Sequence, residues 1–269
     1  MSLSDDVEPV IVARDLTVTF ATRAGTLTAL EGLDLEVSPG EVVCIVGASG
    51  CGKSTFLNVV AGFLAPTRGE VLLTGRPIRG VEPRCGMIFQ SYALFPWMTV
   101  LDNVAFGPRL KGASRRLRRK QARHWIEVVG LDGFEHAYPV ELSGGMQQRV
   151  ALSRALANDP EVLLCDEPFA ALDAMTRQVL QQELLRVVAD TGKTVLFITH
   201  AIDEALILSD RLVVMSARPG RVKTIYANDL PRPRGMDVQL TDRFLELKRG
   251  IWDLVQEEVV GSMTALQRR

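Results

Sequence analysis

Cysteine is scarce: Cys44, Cys51, Cys85 and Cys165 are the only four in 269 residues, and none stand at zinc-pair or CxxC redox spacing. A disulfide scaffold is excluded, and reduced thiols fit a cytoplasmic chain. No stretch approaches ~20 apolar residues, so no segment spans a bilayer. The opening MSLSDDVEPV is acidic and lacks the basic start and apolar core of a secretory signal. Excess charge of one sign is missing too. The 31 basic and 32 acidic residues leave a formal net charge of -1, which argues against nucleic-acid binding, where phosphate neutralisation calls for a basic domain. Internal repeats and low-complexity tracts are absent, and His124 and His136 have no metal spacing. Any service to a membrane would be by docking.

What is present is apolar and alternating. At 47% hydrophobic, the chain can bury a core as one large domain with appendages. Residues 10–37 alternate short apolar stretches with Gly and polar residues, which predicts an antiparallel β layer. After the turn Ser38-Pro39-Gly40, residues 41–46 read as a buried strand and 54–61 as the helix that follows a glycine loop. Helices are expected within 112–130, at about 143–158 and at 174–189. Residues 162–165 and 194–199 are compact apolar runs of the parallel-sheet kind. The fold class is therefore α/β: a mainly parallel sheet, an N-terminal antiparallel β layer and an inserted helical subdomain at about 91–160. Residues 211–226 read as a hairpin turning at Arg218-Pro219-Gly220. The expected boundaries are a domain at 1–229, a Pro/Arg linker at 230–240 and a helical extension at 241–269. One face of that last helix carries Phe244, Leu247, Ile251, Leu254 and Val255.

Gly47-Ala48-Ser49-Gly50-Cys51-Gly52-Lys53-Ser54 fits the pattern GxxxxGK[ST], and Thr55 follows. Glycines let the backbone form a nest of N–H groups around phosphate oxygens, reinforced by the helix dipole. Lys53 can reach the β and γ phosphates and Ser54 can ligate Mg²⁺. A glycine turn that binds nothing is the alternative; the strand before and helix after favour ATP. Cys51 lies inside this loop, where a thiol is expected to be open to alkylation and shielded by MgATP.

The strand at 162–165 ends in Asp166 and Glu167. Successive strand residues point to opposite faces, so the two acids should have different jobs. Asp166 is the expected Mg²⁺ partner and Glu167 the base that polarises attacking water. The plain alternative is a strand ending in solvated acids. Leu142-Ser143-Gly144-Gly145-Met146-Gln147 offers a second anion cradle at a helix start, or, as an isolated string, an ordinary helix cap. One ATP does not need two cradles on one subunit, so the second would serve an ATP held by another copy.

Over roughly residues 10–227 the chain resembles the ATP-binding subunits of ABC transporters. That resemblance implies a head-to-tail dimer holding two ATPs, each between one subunit's phosphate loop and the other's Ser143-Gly144-Gly145 signature. It implies further roles: Gln90 senses Mg²⁺ and the attacking water, His200 contacts the γ phosphate, Asp173 passes information across the dimer, and Phe20 stacks on adenine. Met146 and Ala171 depart from the commonest family residues without removing a phosphate ligand or the base.

Phe95-Pro96-Trp97, the Ser143–Met146 signature form and the run from Ser216 to Arg221 look like the importers of nitrate, sulfonates and taurine. The resemblance then implies a peripheral subunit on the cytoplasmic face of the membrane. Its permease would dock near Gln90–Trp97, and a periplasmic or extracellular substrate-binding protein would be engaged indirectly. Tyr92, Leu94, Phe95, Pro96 and Trp97 are either core packing or that exposed docking surface. An importer ATPase for another small solute shares these features. The rivals are a soluble ABC ATPase of DNA repair or translation and a small-molecule P-loop kinase. The first usually carries a long coiled coil or two cassettes, and the second needs neither Ser143-Gly144-Gly145 nor His200. The basic run Arg115–Lys120 reads as a solvated helix face, with anionic lipid contact next and nucleic acid third. The last helix is expected to pack on its own domain or on the dimer mate.

Overall fold

The computed structural model describes residues 8–267 apart from Ala24, Ala171 and Met236, with side chains to residue 260. The chain forms two compact units. One takes the sequence up to Glu82 and again from Thr194; the other runs from Pro83 to Lys193.

The first unit opens with β1 (Ile11–Thr22) and β2 (Gly25–Val37), an antiparallel pair in which Ile11 faces Val37 and Thr22 faces Gly25. The pairing slips between Ala13 and Leu16, where Asp15 has φ of 45°. The irregularity re-aims the strand so that Ile11, Leu16 and Val18 all face the core. Next come β3 (Val42–Gly47), buried at every position, and the helix α1 (Lys53–Val60). The strand β4 (Arg68–Leu73) then pairs antiparallel with β1, and β5 (Arg76–Pro77) pairs with β4. The expected N-terminal β layer is thus a four-stranded sheet of order β2-β1-β4-β5.

The second unit begins with β6 (Cys85–Ile88) and the short helices α2 (Val100–Val104) and α3 (Phe106–Leu110). Its longer helices are α4 (Arg115–Val128) and α5 (Gly144–Ala157). Ser114 starts α4 by accepting from the Leu117 N–H at 3.3 Å, the usual reason for a serine at that place. Ala122, Ile126 and Val129 are buried while Arg115, Arg116 and Lys120 are exposed, so α4 is amphipathic and packs against α2 and α5. Burying Ile126 alone contributes about 2 kcal/mol. The unit closes with β7 (Val162–Asp166), parallel to β6, and α6 (Ala174–Thr191). It is broader than the helical stretch at about 91–160 because β6, β7 and α6 go with it.

The first unit resumes with β8 (Thr194–Ile198), α7 (Ile202–Leu208), β9 (Arg211–Met215) and β10 (Val222–Ala227). β3 is flanked by β8 and β9, both parallel to it, and β10 turns back along β9. α8 (Asp242–Gln267) buries Phe244, Leu247 and Ile251 against α7, β9 and β3 of its own unit. The stretch 231–235 has no strand or helix, yet it is firmly held. The Arg234 guanidinium, only 3% exposed, donates to the carbonyls of Leu230 and Asn228, both at 3.1 Å, and of Ser209. Burial is what lowers its pKa.

Candidate functional site

The phosphate loop stands between the end of β3 and α1, in the first unit. Gly52, with φ of 101°, precedes Lys53; a Cβ there would lie 2.6 Å from Leu30 Cδ2, so only glycine fits. Lys53 is buried, and its Nζ donates to the carbonyls of Gly47 at 2.9 Å and Ala48 at 3.1 Å. Ser49, Gly50 and Ser54 are exposed, and Gly52 and Thr55 partly so. Cys51 corrects an expectation: the thiol is 1% exposed, and burial raises its pKa against the opposing charge of Lys53. The loop is turned so that this side chain enters the core, with Sγ 3.8 Å from Lys53 Nζ. It is neither accessible nor activated.

Two other residues of the first unit were singled out. Phe20, in β1 opposite Leu27, leaves 37% of its surface exposed, enough for a flat partner. His200 follows β8 and is exposed.

The second unit holds the carboxylates. Asp166 is the last residue of β7, and Glu167 lies beyond it with φ of 46°. What separates the two acids is this left-handed turn before Pro168, not strand alternation as the sequence suggested. Both are half-buried. Gln90 Nε2 donates to Glu167 Oε2 at 3.4 Å, the outer limit of a hydrogen bond, so two of the expected chemical residues meet.

The signature is also in this unit. Ser143 caps α5, accepting from the Met146 N–H at 3.3 Å, and Gly144 and Gly145 form the first helical turn. These residues line a cleft of about 580 Å³ together with Met146, Arg149 and Asp173. Asp173 caps α6 by accepting from the Thr176 N–H at 3.0 Å, and that bond lowers its pKa. A helix N-terminus, a cap hydroxyl and an arginine in one cleft suit an anion. Ala171 lies outside the described residues.

After Gln90 the chain takes an unusual path: Tyr92 and Ala93 both have left-handed φ, 58° and 49°. Two residues missed by sequence reading hold it there. Arg154 donates to the Ala93 carbonyl at 2.6 Å and the Tyr92 carbonyl at 3.0 Å. Asn103, fully buried, accepts from the Phe95 N–H at 2.9 Å and donates to the carbonyls of Phe95, Met98 and Thr99 at 3.0–3.1 Å. The signal for Asn103 was an amide within the apolar run Val100–Val104. Phe95 packs on Phe106 at 4.6 Å between ring centres, with the Arg154 guanidinium 5.7 Å away. Trp97 is 70% exposed.

Comparison with known proteins accounts for this set of motifs. Residues 30–170 match the ABC transporter family model. An ABC transporter ATP-binding protein of Methanocaldococcus jannaschii is 48% identical over 259 residues, covering 96% of each chain. The taurine import ATP-binding protein of Roseobacter denitrificans is 48% identical over 243 residues, 87% of this chain and 90% of its own. Among solved structures, a dimeric ATP-binding cassette in a post-hydrolysis state with ADP and Pi superposes with a TM-score of 0.75 at 33% identity, covering 84% of this chain and all of that one. The α/β architecture with its N-terminal antiparallel sheet is that of the P-loop NTPases. Phosphate loop, carboxylates and signature thus come together in one conclusion: the chain belongs to the ABC transporter family, as an ATP-binding subunit whose ATP hydrolysis is coupled to transport.

Proposed function

We propose that this subunit, peripheral on the cytoplasmic face of the membrane, powers uptake of a small anion, of the nitrate, sulfonate or taurine class, through a separate transmembrane permease. The likeness to taurine import ATP-binding proteins carries this reading. In it, the backbone nest from Gly47 to Thr55 and the Lys53 ammonium bind the ATP phosphates, and Phe20 stacks on adenine. Ser54 and Asp166 offer hard oxygen ligands of the kind Mg²⁺ takes, and when bound the ion neutralises charge on the phosphates. Glu167 accepts the proton of the attacking water, Gln90 orients that carboxylate, and His200 contacts the γ phosphate. Ser143, Gly144 and Gly145, with Asp173 beside them, serve the ATP of a second copy packed head to tail. The permease docks at Gln90–Trp97, a substrate-binding protein outside the cell delivers the solute, and no nucleic acid takes part.

The test is to purify the subunit from its native membrane with its permease and reconstitute the complex in vesicles. ATP-dependent uptake of taurine, an alkanesulfonate and nitrate is then compared with that of a neutral vitamin precursor. Uptake of one anion supports the reading. Uptake of the neutral solute alone, or a soluble partner in place of a permease, overturns it.

A further inference from the structure

The β9–β10 connection, residues 216–221, is held against the phosphate loop. A Cβ on Gly220 would lie 1.9 Å from the Cys51 carbonyl oxygen, so the two backbones touch and only glycine is tolerated. Gly220 N–H donates to the Ala29 carbonyl at 2.9 Å, and its carbonyl accepts from the Glu31 N–H at 3.1 Å. Within the connection, Ser216 Oγ donates to the Pro219 carbonyl and accepts from the Arg221 N–H, each at 3.0 Å. From the other side, the Ala217 N–H donates to Glu258 of α8 at 2.8 Å. The tip is therefore fixed by β2, by the phosphate loop and by the C-terminal helix.

On this fixed tip stands Arg218. Its Nη2 lies 3.2 Å from where a Cβ of Gly50 would be, in contact with the fourth residue of the phosphate motif. The neighbouring cations are each taken up by carboxylates: Arg221 by Glu31 at 2.6 Å, and Lys223 by Glu257 and Glu258 at 2.9 and 2.8 Å. Arg218 is exposed and makes no ion pair among the described residues. A guanidinium is costly to immobilise, and its flat fork of donors matches phosphate oxygens. Lys53 meanwhile turns its ammonium onto the loop carbonyls of Gly47 and Ala48.

We propose that Arg218 is a second cation for the nucleotide phosphates, supplied from outside the phosphate motif. The proposal rests on the phosphate loop binding ATP. It gives the Ser216–Arg221 run a chemical role: Gly220 sets the close approach, Ser216 shapes the turn and Arg218 brings the charge.

Equilibrium binding of ATP and ADP to the full chain tests it, with Arg218→Ala, Arg218→Lys and Lys53→Ala compared to wild type and each variant's melting temperature taken without nucleotide. Arg218→Ala should weaken ATP about tenfold, the size of one charge-assisted hydrogen bond, with its melting temperature unchanged. Arg218→Lys, which keeps the charge but not the fork, should recover part of the affinity and retain a steep salt dependence. Wild-type affinity in Arg218→Ala overturns the proposal. So does equal loss in the Ala and Lys variants with a lowered melting temperature, which would make the arginine a brace for Gly50. If wild type itself binds no ATP and Lys53→Ala changes nothing, the phosphate-loop reading fails and the Arg218 proposal falls with it.

Discussion

Glu167 holds its carboxylate half-buried, one residue past the end of β7, in a backbone conformation that costs of order 1–3 kcal/mol for a residue other than glycine. Such strain is retained where the side chain must be aimed, and Gln90 is what it meets. Glu167→Gln keeps the shape and removes the proton acceptor. It should preserve ATP affinity while lowering turnover by about 10²–10⁴-fold, measured as phosphate release against nucleotide binding on the same preparation. Near-wild-type release would assign the base elsewhere. Cys51 gives the opposite expectation from the one its motif position suggested. Buried and with a raised pKa, it should react with maleimide far more slowly than a free thiol, and mass mapping of the labelled cysteines checks this. Rapid Cys51 labelling in the folded chain would mean that the loop opens readily. The motif residues were legible because their chemistry lies in eight consecutive positions. The burial of Cys51 was not, because segments far along the chain, at Met215 and Gly220, close in on the loop beside it.

Between Gln90 and α2, one short stretch serves two purposes. The sequence left core packing and docking surface as alternatives for its aromatics, and the structure separates the two residues by their surroundings. Phe95 is held by Phe106, Arg154 and Asn103, whereas Trp97 stands in solvent. Phe95 is half-buried, so Phe95→Ala should destabilise the second unit by about 1–2 kcal/mol, read as a lowered melting temperature. Trp97→Ala should leave stability and ATP binding intact and sharply reduce co-purification with the permease, since exposed aromatics are common anchors. Undiminished co-purification would place the docking surface elsewhere. The Pro/Arg stretch offers a second contrast. Composition reads it as a break, and no strand or helix forms, but Arg234 ties it to three carbonyls that composition cannot show. Arg234→Met should cost about 2 kcal/mol by removing the guanidinium from the Leu230 and Asn228 carbonyls, while Ser209 keeps its bond from Asn228 Nδ2, with ATP affinity unchanged. An unaltered melting temperature would show that water replaces the guanidinium. The longer helices were legible from period, and the start at Ser143 from its cap, but the short α2, α3 and α7 and the strands β4 to β6 were not, since so few residues carry little periodicity.

The chain leaves its first unit at Glu82 and returns at Thr194, and α8 completes that unit by covering α7 and β9. Removing the chain from residue 241 should uncover α7, β9 and β3 and lower stability of the first unit, because Phe244, Leu247 and Ile251 are all buried. Loss of soluble protein, or a lowered melting temperature in what remains soluble, checks this; a truncated chain as stable as the whole would make α8 an appendage. The α/β class was legible because strand and helix alternate, but the division was not, since it depends on which distant segments pair. That pairing has a consequence for the order of synthesis. β3, apolar and buried at every position, takes both its neighbours, β8 and β9, from after residue 193. On the ribosome it waits for roughly 150 more residues before β8 follows, which at ~5–20 residues per second is about 8 to 30 seconds. Through that interval the strand that leads into the phosphate loop has two open edges, the kind of surface that invites pairing with other chains. The second unit is one continuous segment and is made during that wait. The strand that feeds the nucleotide-binding loop is therefore made well before the sheet around it can be finished.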